Sequence, residues 1–312
     1  MIATAMPIKE PESQHKIPYL DGLRGYSIIT VVMLHALSAS PLPPWLDPVM
    51  GMIGNGRLGV TIFFSISGFL ITTLLLREQD RTGTISLRGF YERRIARIFP
   101  AAYVYIGAMA ILSLIGVLHL RWGVFLGASL FCWNYGAILN LFAGSSDYVV
   151  LAHFWSVSLE EQFYLFWPGC LLLLGRARSR KIAWVAVAVL PFVRIVSYAL
   201  FPKSHDQLSA MFHTAVDQIL WGALAALAYA TGTHLRWARN RWFGWLTLVW
   251  SIMTFFVISW FATWVPGVTR FVLPTVYSSF SALLLLWLLS GSTGFVRAIL
   301  EWQPLRWVGL IS

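Results

Sequence analysis

Charge is scarce in this 312-residue chain. Acidic and basic side chains together make up 12% of it, against about 25% in an ordinary soluble domain. Hydrophobic residues reach 58%. That balance excludes a soluble globule and describes a chain that spends most of its length in lipid. Cysteine is scarcer still. Cys132 and Cys170 both lie in apolar stretches with no second ligand at metal-binding spacing, which argues against a disulfide framework or a zinc site. The N-terminal stretch MIATAMPIKEPESQHK lacks the apolar core of a signal peptide and reads as part of a cytoplasmic tail over residues 1–18. No internal repeat is visible, which argues against a transporter built from inverted halves. The net charge of +10 does not call for nucleic acid. Its basic residues sit in short segments between apolar runs, where positive charge fixes membrane orientation.

What the chain does contain is apolar runs of membrane length. A crossing helix needs about 20 mainly apolar residues, which predicts helices near 25–41, 58–76, 98–118, 154–175, 182–201, 212–231, 243–264 and 271–290. The fold class is all-α, a polytopic transmembrane bundle of about 8–10 helices by this criterion. The stretch 119–153 is ambiguous, because its apolar run is broken by Asn134, Gly136 and Asn140 and followed by the polar AGSSDY. If it crosses once, Lys and Arg divide 11 inside to 11 outside; if it makes no net crossing, they divide 18 to 4, with Arg194 inside a helix. The positive-inside rule favours the second, a re-entrant or twice-crossing element. The protein is then a multi-pass membrane protein with its N-terminus in the cytoplasm.

Against this background the ionisable residues within the runs stand out. At about 1.5 Å per residue, His35 lies about 17 Å into its helix and Arg194 about 18 Å into its own. Glu160 and Glu161 come about 10 to 12 Å below the opposite surface, and Asp217 about 8 Å below it. Charges at such depth line an interior cavity or pair with one another. For Arg194 and Asp217 the simpler reading is an ion pair between neighbouring helices. For His35 there are two readings: a core histidine bonded to an adjacent helix, or a general base beside a carboxylate. REQDRTGTISLRGFYERRIARIFP, residues 77–100, carries six arginines against three acids. Arg93 and Arg97, four apart, share one helix face. They are an orientation anchor or a site for phosphate oxygens, which guanidinium forks bind bidentately. Ser65, Ser67 and Gly68 in GVTIFFSISGFLI suit close helix packing better than catalysis. His153 stands at the start of the Glu160 helix, as a cap or as a contact for a substrate. His119, His205, His213 and His234 have no carboxylate or cysteine at ligand spacing, and no metal site is expected. The 16 tryptophans cluster largely near helix ends, as interfacial belts do.

Four stretches, YLDGLRGYSIITVVMLH, GRLGVTIFFSISGFLIT, FYERRIARIFPAAY and HFWSVSLEEQFYLFWP, follow one another in an order that resembles the successive motifs of the membrane acyltransferase 3 family. The likeness runs from Tyr19 to Pro168 and continues weakly through DQILWGALAALA and QPLRWVGLIS. It implies a helical bundle over residues 19–312, in a bacterial inner membrane, that takes an acyl group, acetyl or another short chain, from cytoplasmic acyl-CoA. The acceptor implied is a hydroxyl of a cell-surface carbohydrate or glycolipid. By position it makes His35 the motif histidine, Arg24 the arginine of the first motif, Arg93 and Arg97 the paired arginines, and Glu160 and Glu161 the acidic motif. The family pattern continues beyond the VGLIS stretch, so relative to it the chain lacks a last helix.

Acyl transfer needs a base to deprotonate the acceptor hydroxyl, and such help is worth about 10² to 10⁴ in rate. His35 is the expected base, with Glu160 or Glu161 orienting the ring, and an acyl-His35 intermediate is the other route. Arg93, Arg97 and Arg94, with Arg24, are expected to hold the donor. Ser65, Ser67, Arg194, Asp217 and His153 are expected to line the cavity. Acyl-CoA is a substrate here, and no resident cofactor is expected. The alternative function is a transporter or flippase of a lipid-linked sugar or acyl donor, which also needs polar groups at mid-depth.

Overall fold

The structure, a computed structural model, describes residues 17–39, 56–233, 236, 241–254, 268–290 and 294–311. The tail before residue 17, His234 and the later part of the helix expected over 243–264 lie outside them. Among the described residues the regular backbone is helical, without a strand. Four segments are long and apolar enough to cross a membrane: Gly56–Thr82, Leu87–Leu114, Tyr148–Leu200 and Arg270–Leu289. The chain divides into two compact units, residues 1–59 with 292–312, and residues 60–291.

In the first unit, helix α1 (Pro18–Ala39) buries a stripe of Leu20, Leu23, Ser27 and Thr30 at helical spacing. The two hydroxyls are satisfied within the helix, Ser27 donating to the Leu23 carbonyl and Thr30 to that of Ser27, each at 2.9 Å. The C-terminal segments, here called the 295 helix (Phe295–Leu300) and the 303 helix (Gln303–Leu310), pack on α1 at backbone range. A Cβ on Gly22 would strike the Leu300 carbonyl, one on Gly25 the Leu305 carbonyl, and one on Gly309 the Asp21 carbonyl. The glycines of YLDGLRGYS therefore admit the QPLRWVGLIS stretch, and the two motifs form one packing unit.

In the second unit, α2 (Gly56–Thr82, whose first turn belongs to the first unit), α3 (Leu87–Leu114) and α5 (Phe154–Leu200) carry the site. Helix α3 starts eleven residues before the span expected from 98, because Ser86 caps it: the Gly89 amide donates to the Ser86 hydroxyl at 3.2 Å. Arg88, Arg93, Arg94 and Arg97 thus lie in the first three turns of a helix, while Arg77 and Arg81 end α2. Between α3 and α5 the longest helix is α4 (Trp122–Ser129), eight residues or about 12 Å. That is too short to cross a core of about 30 Å. The rest of 119–153 folds as turns tied to α5: Asn134, fully buried, donates to Gln162 Oε1 at 2.9 Å, and Gln162 returns a bond to Asn134 Oδ1 at 3.0 Å. Gln162 also donates to the Phe131 carbonyl at 2.8 Å.

Helix α5, with 47 residues, would measure about 70 Å if straight. It is broken at Gly175, whose φ of +73° only glycine adopts at little cost. The Ser179 hydroxyl then donates to the Cys170 carbonyl at 3.0 Å, a pair that a continuous helix would hold about 13 Å apart. The chain folds back there, so that two helices flank Gly175, as the spans 154–175 and 182–201 anticipate. Helix α6 (Asp217–Ala230) crosses α2 at very close range, with Gly222 against the Ser65 carbonyl and Gly68 against that of Ile219. Helix α7 (Arg241–Ile252) and α8 (Leu273–Leu289) complete the described helices. Phe64, Leu75, Phe163, Trp167, Ile219 and Ala223 form the centre of the core, where the Trp167 indole donates to Thr72 Oγ1 at 2.8 Å.

Candidate active site

Glu160, Glu161 and Tyr164 project from one sector of α5, since positions i, i+1 and i+4 fall within about 100° of each other around a helix. Two other helices supply the groups facing them. From α3, the Arg94 guanidinium carbon lies 3.9 Å from the centre of the Tyr164 ring, and its charge acts on both Tyr164 and Glu161. From α2, Ser67 lies on the side of the Tyr164 hydroxyl. Tyr164 is 1% exposed, while Arg94, Glu160 and Glu161 are half-buried. Glu161 Oε1 and Arg94 Nε are closed off from solvent without a hydrogen-bond partner. Buried polar atoms in native proteins are nearly always satisfied. Two exceptions on facing side chains mark a place where a proton, a water or a substrate atom completes the bonding.

The layer of ionisable groups expected from the sequence resolves into separate clusters. Arg194 and Asp217 are both fully buried and bonded to each other at 2.5 Å. Arg194 also donates to the Thr214 carbonyl at 2.6 Å, the Phe271 carbonyl at 3.0 Å and Thr275 Oγ1 at 2.7 Å. Thr275 in turn donates to Asp217 Oδ2 at 2.6 Å. Every strong group in this network is occupied, so it ties α5, α6 and α8 together. Ser65, fully buried, donates to the Gln218 carbonyl at 3.3 Å and belongs to the α2–α6 crossing, whereas Ser67 faces the acidic cluster.

The arginines also divide. Arg93 and Arg97 are exposed, with Arg93 3.7 Å from Glu78, while Arg94 alone of the three turns to α5. His153 is exposed, with its ring edge-on to Tyr105 at 4.9 Å, and its side chain makes no capping bond to α5. His35 and Arg24 belong to the first unit. The imidazole is exposed, about 100° around α1 from its buried stripe, and Arg24 is half-buried. Tyr164 is the site residue the sequence analysis did not single out. Its signal was present in the spacing, four residues after Glu160 and one helical turn above it.

Among the described residues, no group of three or more His, Cys, Asp or Glu side chains has the arrangement of a metal site. The fold and site define an all-α, multi-pass membrane protein with a charged cluster built on its crossing helices. The chain belongs to the acyltransferase-domain family, whose model matches residues 17–312. It is similar to the O-acetyltransferase OatA of Staphylococcus aureus (strain NCTC 8325 / PS 47), 32% identical over 230 residues, covering 70% of this chain and 35% of the relative. It is also similar to the Bacillus subtilis (strain 168) protein named "Putative peptidoglycan O-acetyltransferase YrhL", 28% identical over 320 residues, covering 96% of this chain and 48% of that protein. The chain thus spans about a third to a half of the length of these relatives. No solved structure matches it.

Proposed function

We propose that this chain is a membrane O-acyltransferase that moves an acyl group, acetyl in the first instance, from acyl-CoA on the cytoplasmic side to a hydroxyl of a cell-surface carbohydrate or glycolipid. The observation that carries this reading is the Glu160–Glu161–Arg94–Tyr164 cluster on membrane-crossing helices, with buried polar atoms on Glu161 and Arg94 left without protein partners. Ionisable groups at such positions are costly and serve function. Family membership and the relatives' names support acyl transfer as that function. In the reaction, His35 takes the acceptor's proton, the alcohol oxygen attacks the thioester carbonyl, and the C–S bond breaks to release CoA as its thiol. The exposed Arg93 and Arg97 suit the phosphates of the donor, with Arg24 as a further candidate on the first unit. No resident cofactor is needed, since the thioester supplies the activated acyl group.

The test is incubation of the full chain in sealed proteoliposomes with labelled acetyl-CoA and a panel of oligosaccharide and peptidoglycan-fragment acceptors. CoA release that depends on acceptor, and that His35→Ala abolishes without altering helicity, is the expected result. Full turnover in His35→Ala removes that residue from the mechanism. Uptake of labelled donor or acceptor with no thioester cleavage establishes the transport alternative instead.

A further inference from the structure

We propose that Arg94 is the fixed counter-ion and positioning residue of the Glu160–Glu161 pair, seated on the Tyr164 ring, and is not a donor-phosphate ligand with Arg93 and Arg97. Only the kinetic arm of its test rests on the acyltransferase reading. On α3 the three arginines point in different directions, since residues 93 and 97 are about 40° apart around the axis and residue 94 is about 100° from 93. The structure follows that geometry, with Arg93 and Arg97 exposed and Arg94 half-buried. A soluble diphosphate reaches the first two without rearrangement.

Arg94 is placed quite differently. Its guanidinium carbon lies 3.9 Å from the centre of a ring that is 1% exposed, and its Nε is sealed from solvent with no hydrogen-bond acceptor. It is therefore held by the ring face and by charge. Cation–π contacts strengthen when both partners are desolvated. The charge comes from Glu160 and Glu161, adjacent carboxylates that repel each other on one helix face. A single cation between them and the tyrosine offsets that repulsion where water is scarce. Binding a phosphate would pull Arg94 off the ring and leave the two acids without their cation. Tyr164 is the platform, and its aromatic face matters more than its hydroxyl.

The experiment is a double-mutant cycle on the full chain in detergent, read as thermal unfolding midpoints. Arg94→Gln should lower the midpoint, and adding Glu161→Gln should recover part of the loss, so that the pair is non-additive. Arg97→Gln with Glu161→Gln should add simply. Tyr164→Phe should keep the coupling and Tyr164→Leu should shrink it. If Arg94→Gln does not fold, Arg94→Lys keeps the charge without the guanidinium over the ring and should show a reduced but measurable coupling. In turnover, Arg94→Gln should lower kcat about tenfold or more with donor KM within about twofold of wild type, whereas Arg97→Gln should raise donor KM about tenfold at unchanged kcat. Additive Arg94 and Glu161 midpoints, or a donor KM in Arg94→Gln raised as far as in Arg97→Gln, overturn the proposal. A wild-type chain without turnover removes the acyltransferase reading, and the thermal cycle then decides this proposal by itself.

Discussion

Replacing Asp217 by Asn tests the energetics of the Arg194 network while changing almost no volume. The carboxylate accepts from Arg194 at 2.5 Å and from Thr275 at 2.6 Å, with both charged side chains fully buried. Neutralising it leaves a guanidinium in the core whose other bonds, to two carbonyls and one hydroxyl, carry no compensating charge. Removing one partner of a buried ion pair costs about 3–5 kcal/mol. At about 2 °C per kcal/mol for a chain of this size, the midpoint should fall by about 6–10 °C. Detergent-solubilised protein followed by circular dichroism at 222 nm on heating reads this directly. The double variant Arg194→Met with Asp217→Leu should lie closer to wild type than Asp217→Asn, because an apolar pair avoids the desolvation cost of both ions. A single variant within about 2 °C of wild type would falsify the assignment of this pair as the clamp between α5, α6 and α8.

Two glycines should respond to the same substitution with opposite signs. Gly222→Ala drives a methyl into the Ser65 carbonyl, a backbone atom that has nowhere to go, and should cost about 1–3 kcal/mol. Gly169→Ala, inside α5 with nothing within 4 Å of the added carbon, should stabilise by about 0.5–1 kcal/mol through helix propensity. Equal thermal midpoints for the two variants would show that the α2–α6 crossing is not a close backbone contact. Asp147 supplies a pH test in the loop before α5. Its carboxylate accepts the His119 amide proton at 2.6 Å, and that bond holds its pKa below the usual 3.8. A depressed pKa contributes stability above the unfolded value and loses it as pH falls through the folded one. Protection of the His119 amide, measured relative to its intrinsic exchange rate, should therefore be present at neutral pH and fall below about pH 4, and Asp147→Asn should remove that pH dependence. An amide equally protected at pH 3 and pH 7 would contradict the assignment.

Several parts of this molecule are legible in its amino-acid order. Apolar runs mark the long helices, and the break in 119–153 marks a segment whose longest helix has eight residues. Arg194 and Asp217, at helix depths that charge avoids, suggest an ion pair, and the structure pairs them. Other features are written in the chain but not readable as such. Gly175 separates two runs that read as independent helices, and its φ of +73° shows how sharply the chain turns between them. The glycines at 22, 25 and 309 carry no mark of a partner in the residue order. Their partners lie nearly three hundred residues away in the chain, at distances no periodicity encodes.

Residue order alone specifies the medium and the kinship of this protein. Both depend on local properties: the free energy of moving a continuous apolar stretch into lipid, and the succession of short motifs along the chain. Which of three neighbouring arginines meets the acidic pair is settled only on folding. The rotation of a helix about its own axis is set by what packs against it, and a shift of one residue turns a side chain through about 100°. That rotation sends Arg93 and Arg97 to solvent and lays Arg94 on the ring of Tyr164.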